Sequence, residues 1–186
     1  MMQTKSCDVL LINAPSAYEL PPSSRKDHVG IGYLASVLRD EGISVHLLDT
    51  PMLEWDVKRT LEYVRDIPAK VVGISALQAQ AEGAVGITKE LRGAGSRAPI
   101  ILGGQFPTFC YDRLLVDFPE IDIVVRGEGE VAFLSLVKRL LSDEAWEDCP
   151  GIAFRRNGEV ACNESPPLIA DLDALPFPAR DTLPQV

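Results

Sequence analysis

A chain of 186 residues with 46% hydrophobic and 24% charged side chains can bury a sizeable core and has the balance of a soluble globular protein. Its formal net charge of −9 repels polyanions, so neither nucleic acid nor an anionic membrane surface is expected as a partner. No apolar stretch reaches the roughly eighteen residues of a membrane span, and Met1-Met2-Gln3-Thr4-Lys5-Ser6-Cys7-Asp8 lacks the apolar region of a signal peptide, so a cytoplasmic location is expected.

Val9-Leu10-Leu11-Ile12 is a short, wholly apolar run, as a central parallel strand buried on both faces requires. A loop carrying Pro15, Pro21 and Pro22 follows. Ile31, Leu34, Ala35 and Leu38 then share one helical face, and Gly42 falls where a C′ glycine belongs. Val45-His46-Leu47-Leu48 reads as the second strand, stopped by Asp49-Thr50-Pro51. Val57, Leu61 and Val64 mark a second helix that must end before Pro68.

Val71 to Ser75 is the third strand, and a weakly periodic helix from about Gln80 to Arg92 ends at Gly93-Ala94-Gly95. Pro99 to Leu102 is the fourth strand, followed by a helix from about Thr108 to Val116. Ile121 to Val125 is the fifth, followed by a helix from Glu130 to Leu141. Five β-α units of this length predict an α/β fold: a doubly wound, five-stranded parallel sheet of flavodoxin-like order 2-1-3-4-5.

Beyond Leu141 the pattern changes. Gly151 to Arg155 and Glu159 to Cys162 flank Arg156-Asn157-Gly158, a strong β-hairpin signal. The final stretch, with Pro166, Pro167, Pro176, Pro178 and Pro184, reads as an extended linker to a further domain. The expected organisation is a Rossmann-like domain over 1–142, a hairpin extension over 143–170 and a Pro-rich linker over 171–186.

Ligands of open parallel sheets bind along the carboxyl ends of the strands. Those ends here are small or polar: Asn13-Ala14-Pro15, Ser75-Ala76-Leu77, Gly103-Gly104-Gln105 and Arg126-Gly127-Glu128-Gly129. Four ends stripped of bulk predict one long ligand lying across the sheet. A phosphoacceptor receiver would need acids after the first strand, an aspartate ending the third and a lysine ending the fifth, where this chain has Asn13, Ser75 and Arg126. Gly30-Ile31-Gly32 and Gly127-Glu128-Gly129 both lack the third glycine of a dinucleotide fingerprint, and no Walker A lysine sequence exists.

Cys7, Cys110, Cys149 and Cys162 are scattered without metal-ligand spacing, and His28 and His46 are the only histidines, so no protein-held metal site is expected. Taken singly, each run-end has a structural explanation as well. Gly103-Gly104 suits a tight strand-to-helix turn, Ser75 a helix cap and Gly127-Glu128-Gly129 a turn before a helix.

Ser75-Ala76-Leu77 with Gly103-Gly104 resembles the S-x-L and G-G signature of cobalamin-binding domains. In that family the corrinoid's nucleotide tail enters the sheet, the serine hydrogen-bonds it and the paired glycines make room for the flat base. The family's D-x-H-x-x-G element, whose histidine is the lower cobalt ligand, departs here. Asp49-Thr50-Pro51-Met52-Leu53-Glu54 puts proline in the histidine's place. That loss resembles the N-terminal half of cobalamin-dependent radical S-adenosylmethionine enzymes.

Val9 to Pro15, Gly30-Ile31-Gly32-Tyr33-Leu34-Ala35, Val124 to Glu130 and Leu172 to Asp181 are each similar to stretches of the same enzymes, in the same order. The resemblance implies a cofactor module that binds cobalamin base-off without a protein histidine ligand, most often serving a methyltransferase. It implies cofactor contacts from Asn13, Pro15, Pro51, Met52, Ser75, Leu77, Gln78, Gly103, Gly104, Gln105, Arg126, Gly127, Glu128 and Gly129.

No C-x-x-x-C-x-x-C run is present in this sequence. The four-iron cluster and S-adenosylmethionine are therefore expected in a radical domain supplied in cis or in trans, and no catalytic residue is assigned to this chain. The other function class is a flavodoxin-like binding or regulatory module using FMN or a protein partner. Ser16, Ser23 and Ser24 keep that class open, although Ala14-Pro15-Ser16-Ala17-Tyr18 is a poor phosphate loop.

Overall fold

The computed structural model describes residues 6–16, 28–166 and 168–182. Pro21, Pro22, Ser23, Ser24, Pro167 and Pro184 lie outside the described residues. Strand β1 (Cys7–Asn13) is central, with β2 (Val45–Asp49) on one side and β3 (Ala69–Ser75) on the other. Strands β4 (Ile100–Gly103) and β5 (Ile123–Val125) continue the sheet, and all five are parallel in the expected order 2-1-3-4-5.

Alternation along the strands divides the core. Leu10, Ile12, Ile74 and Leu102 pack with α2 (Val57–Val64), α3 (Ala81–Gly93) and α4 (Gln105–Asp117). Val9, Leu11, Val71 and Ile101 pack with α1 (Val29–Asp40) and α5 (Gly129–Leu141) on the opposite face. That is the three-layer arrangement that right-handed crossovers impose.

The strand count differs from the expectation. Strands β6 (Ile152–Arg156) and β7 (Glu159–Cys162) form the hairpin, with positive φ at both Asn157 and Gly158. Rather than standing apart, β6 pairs antiparallel with β5, giving one seven-stranded sheet of order 2-1-3-4-5-6-7. The physical reason lies in β6 itself: Ile152, Ala153 and Phe154 are buried, and that apolar run has to be covered on both faces.

Helix α4 also begins three residues earlier than its periodicity suggests. Gly104, at φ 93°, turns the chain into a first turn that holds Pro107, a position where proline loses no hydrogen bond. The segment from Phe177 to Asp181 lies along α1: Ser36 Oγ donates to Phe177 O at 2.6 Å and Ala179 N to Gly32 O at 3.0 Å. No helix among the described residues is long and apolar enough to cross a membrane.

Candidate functional site: a glycine-lined slot at the strand ends

Four strands terminate in a single register row, with Asp49 beside Asn13, Asn13 beside Ser75 and Ser75 beside Gly103. Asn13 Nδ2 donates to Asp49 Oδ1 at 2.7 Å. Gln80 Nε2 donates to Asn13 Oδ1 at 2.8 Å and to Ala14 O at 2.6 Å, and its Oε1 accepts from Leu77 N at 2.7 Å. Asp49, Asn13 and Gln80 are all buried, and this connected network meets the hydrogen-bond needs of each. It fixes the row from beneath.

On the α1 and α5 face of the same row a cavity of about 190 Å³ opens into the molecule. The sheet supplies Leu11, Gly73, Ser75, Ile101 and Val125; α1 supplies Ile31 and Leu34; α5 supplies Phe133; Gly103, Gly104 and Gly127 to Gly129 form its rim. Apolar cavities near 150 Å³ admit a single aromatic ring, so the space suits a flat heterocycle.

The walls of the slot pack where side chains are missing. A Cβ on Gly73 would sit 2.8 Å from Leu11 Cδ2 and 2.9 Å from Phe133 Cζ, and one on Gly129 would sit 3.0 Å from Leu34 Cδ2. At Gly104 a Cβ would meet Ala76 O at 2.9 Å and Ser75 Oγ at 3.0 Å, in a backbone conformation that L-residues disfavour. Gly103 differs: the nearest atom to its would-be Cβ is 3.7 Å away, so any side chain there extends into open space beside Val125.

Of the residues expected to contact a ligand, Ser75, Gly103, Gly104, Gly127, Glu128 and Gly129 line this slot. Asn13 belongs to the buried network, and Pro15 packs beside α3, where its carbonyl leaves no room for a Cβ on Gly83. Pro51 and Met52 are half-buried in the turn after β2. Leu77, Gln78 and Gln105 stand exposed beside the row. Arg126 does not line the slot: its guanidinium lies 4.9 Å from the Tyr111 ring centroid and contacts Cys162 Sγ and Ser165 Oγ.

Sequence reasoning missed Gly73, His28, Leu34 and Phe133. An isolated glycine inside a β-strand marks a close approach, so Gly73 carried a usable signal. The other three come from helices and a loop end whose crossing over the sheet no local pattern discloses. His28 caps α1, its Nδ1 accepting from Ile31 N at 3.2 Å, and its Nε2 lies 3.3 Å from Ser75 Oγ. Its main-chain N donates to Asp49 Oδ2 at 3.1 Å. Burial holds the His28 imidazole below the usual histidine range, against the opposing pull of Asp49.

His46 sits on β2 opposite Leu10, away from the row, stacked at 5.8 Å on Tyr63, and burial lowers its basicity too. Ser16, the described member of the three serines considered for a phosphate loop, reaches Ala79 O at 3.5 Å. Among the described residues no group of three His, Cys, Asp or Glu side chains is placed to hold a metal ion. The slot can therefore hold a planar apolar group with one hydrogen-bonding edge, while the exposed rim leaves room for a larger body above.

Comparison with known proteins agrees with that geometry. The chain is 30% identical over 183 residues to an uncharacterized methyltransferase of Pyrococcus horikoshii, covering 97% of this chain and 39% of that protein. Its fold matches the cobalamin-dependent S-adenosylmethionine radical enzyme OxsB, solved with aqua-cobalamin and S-adenosylmethionine bound. The TM-score is 0.79 at 21% identity, over 97% of this chain and 25% of that one.

The radical S-adenosylmethionine methyltransferase TsrM of Kitasatospora setae, solved with cobalamin and an iron–sulfur cluster bound, matches with a TM-score of 0.72 at 20% identity, over 93% of this chain and 31% of that one. The chain thus spans well under half the length of each of these proteins. The family model of the B12 binding domain matches residues 25–137, a stretch that contains β2 to β5 and every glycine of the slot. The chain belongs to the B12-binding domain family, and cobalamin is its cofactor.

Proposed function

We propose that this chain holds cobalamin base-off, its nucleotide base in the slot and no protein histidine on the cobalt, as the cofactor module of a radical S-adenosylmethionine methyltransferase. The observation that carries the reading is the slot itself, which opens at the register row and whose walls pack so closely on Gly73 and Gly129 that a side chain at either would displace them. Leu11, Leu34 and Phe133 would flank the base, Ser75 would meet its polar edge, and Gly103 with Gly104 would let it pass the end of β4. Above the row, Leu77, Gln78, Gln105 and Glu128 would face the corrin, and Pro51 and Met52 lie on the turn nearest β2.

The absence of a histidine ligand is supported by where the two imidazoles lie: His46 is half-buried against Tyr63, away from the row, and both ring nitrogens of His28 have partners below the rim. Bound cobalamin supplies a carrier for a methyl group, and the chain's own residues orient it and exclude water from its base. The methyltransferase assignment rests on likeness to the Pyrococcus protein and TsrM, and the radical domain, with its iron–sulfur cluster and S-adenosylmethionine, is assigned to chain beyond this module or to a partner.

The test is direct. After incubation with hydroxocobalamin and desalting, the protein should retain close to one equivalent and show a base-off spectrum. Colourless protein would refute the cofactor reading, and a histidine-on spectrum would refute the ligand-free lower face.

A further inference from the structure

A helix cap needs only one acceptor, and at His28 that is Nδ1, which takes the Ile31 N–H. Accepting there leaves Nδ1 without a proton, so the neutral ring must carry its hydrogen on Nε2. Nε2 is the atom 3.3 Å from Ser75 Oγ, on the wall of the slot. The direction of that hydrogen bond is thereby settled: His28 donates and Ser75 accepts. The Ser75 hydroxyl hydrogen is then turned away from His28.

Asp49 holds the arrangement in place through the His28 main-chain N–H, and Asn13 holds Asp49. Burial lowers the imidazole's basicity and so favours this neutral form.

We propose that His28 is a positioning residue that fixes the Ser75 hydroxyl as a hydrogen-bond donor into the slot, so that the slot selects a heterocycle presenting an unprotonated ring nitrogen. This inference rests on the proposed placement of the cobalamin base and adds to it a polarity. A serine without His28 can spend its hydroxyl hydrogen on a neighbour, whereas the Nε2–H of His28 takes one of its two lone pairs and leaves that hydrogen to point into the slot. The slot thus favours a nitrogen lone pair over an N–H of the same size.

The experiment compares dissociation constants for cobalamin and for cobinamide, which has no nucleotide tail, in the wild-type chain, His28→Asn, Ser75→Ala and the double variant. Asparagine keeps the capping of α1 and cannot supply the Nε2 donor, so circular dichroism and thermal unfolding should match the wild type.

The expected result is about a tenfold weaker binding of cobalamin by His28→Asn, a similar loss for Ser75→Ala, and no further loss in the double variant. Cobinamide binding should be the same in all four. Additive losses, an equal loss for cobinamide, or unchanged cobalamin binding in His28→Asn would each overturn the role of His28. A wild-type chain that binds cobalamin no better than cobinamide would instead refute the placement of the base, and this inference with it.

Discussion

The two faces of the sheet are built from the same strands and do opposite things. Toward α2, α3 and α4, Leu10, Ile12, Ile74 and Leu102 interlock with Ala84, Ile87 and Leu115, all of them buried. Toward α1 and α5, the residues next to those in sequence include Gly73, Ser75 and Gly103, and there the packing opens into the slot. Because side chains alternate between faces, β3 can place Val72 and Ile74 in a filled core while Gly73 and Ser75 leave space on the other side. A cavity made this way needs no weakening of the opposite core.

That contrast can be broken from either side. The largest effect is expected from filling the slot. Gly103→Val adds bulk where the backbone is unstrained and should weaken cobalamin binding by about a hundredfold, roughly 2.7 kcal/mol, with little change in the unfolding midpoint. Ser75→Leu should act in the same direction, and equilibrium titration of either variant checks it. Gly104→Val is less clean, since its positive φ adds a folding cost to the loss of space.

On the filled face, Ile12→Ala should cost about 2–5 kcal/mol in chemical denaturation while the folded fraction binds cobalamin as before. A matching loss of affinity would mean that the two faces are not independent. A smaller stability change is expected at Gly83, where a Cβ would come within 2.2 Å of Pro15 O. Gly83→Ala should destabilise by about 1–3 kcal/mol, read from the denaturation midpoint, because one of two rigid backbones must move.

The pH dependence is smaller still and has a definite sign. His28 and His46 are both held below 6.5 in the folded chain by burial, so the unfolded chain takes up protons first. Stability should therefore fall as pH drops from about 6.5 toward their folded-state values, and His46→Gln should flatten part of that slope. At lower pH, Asp8 contributes in the same direction. The Lys70 ammonium and then Ser44 hold its carboxyl at about 2, so its share is present above the ordinary carboxylate range and lost as pH falls toward 2. Smallest of all, Arg39→Ala should leave the unfolding midpoint unchanged within error, since its ion pair with Asp181 is solvent-exposed.

Much of this architecture is legible in the sequence. The strand runs, Gly42 after α1 and the Asn157-Gly158 turn depend on periods of two and 3.6 and on local dihedral needs, which neighbouring residues encode. The register row was half legible: that Asn13, Ser75 and Gly103 end strands can be read directly, whereas their lying side by side needs the sheet order.

Three features were not legible. The joining of β6 to β5, the crossing of Phe133 over Gly73 and of Leu34 over Gly129, and the approach of His28 to Ser75 are set by how helices and loops fold back over the sheet. His28 and Ser75 lie 47 positions apart, and no local pattern links them.

The segment from Phe177 to Asp181 has a mechanical consequence. It is fastened by a main-chain bond to Gly32 and by the Ser36 hydroxyl on Phe177 O, both from α1, the helix whose Ile31 and Leu34 form one side of the slot. Gly32 lets Pro178 approach so closely that a Cβ there would lie 3.1 Å from Pro178 Cβ. The helix cannot swing outward to admit a wider guest without tearing that seam. The wall that α1 gives the slot is therefore braced from outside by this segment as well as set from inside by the glycines.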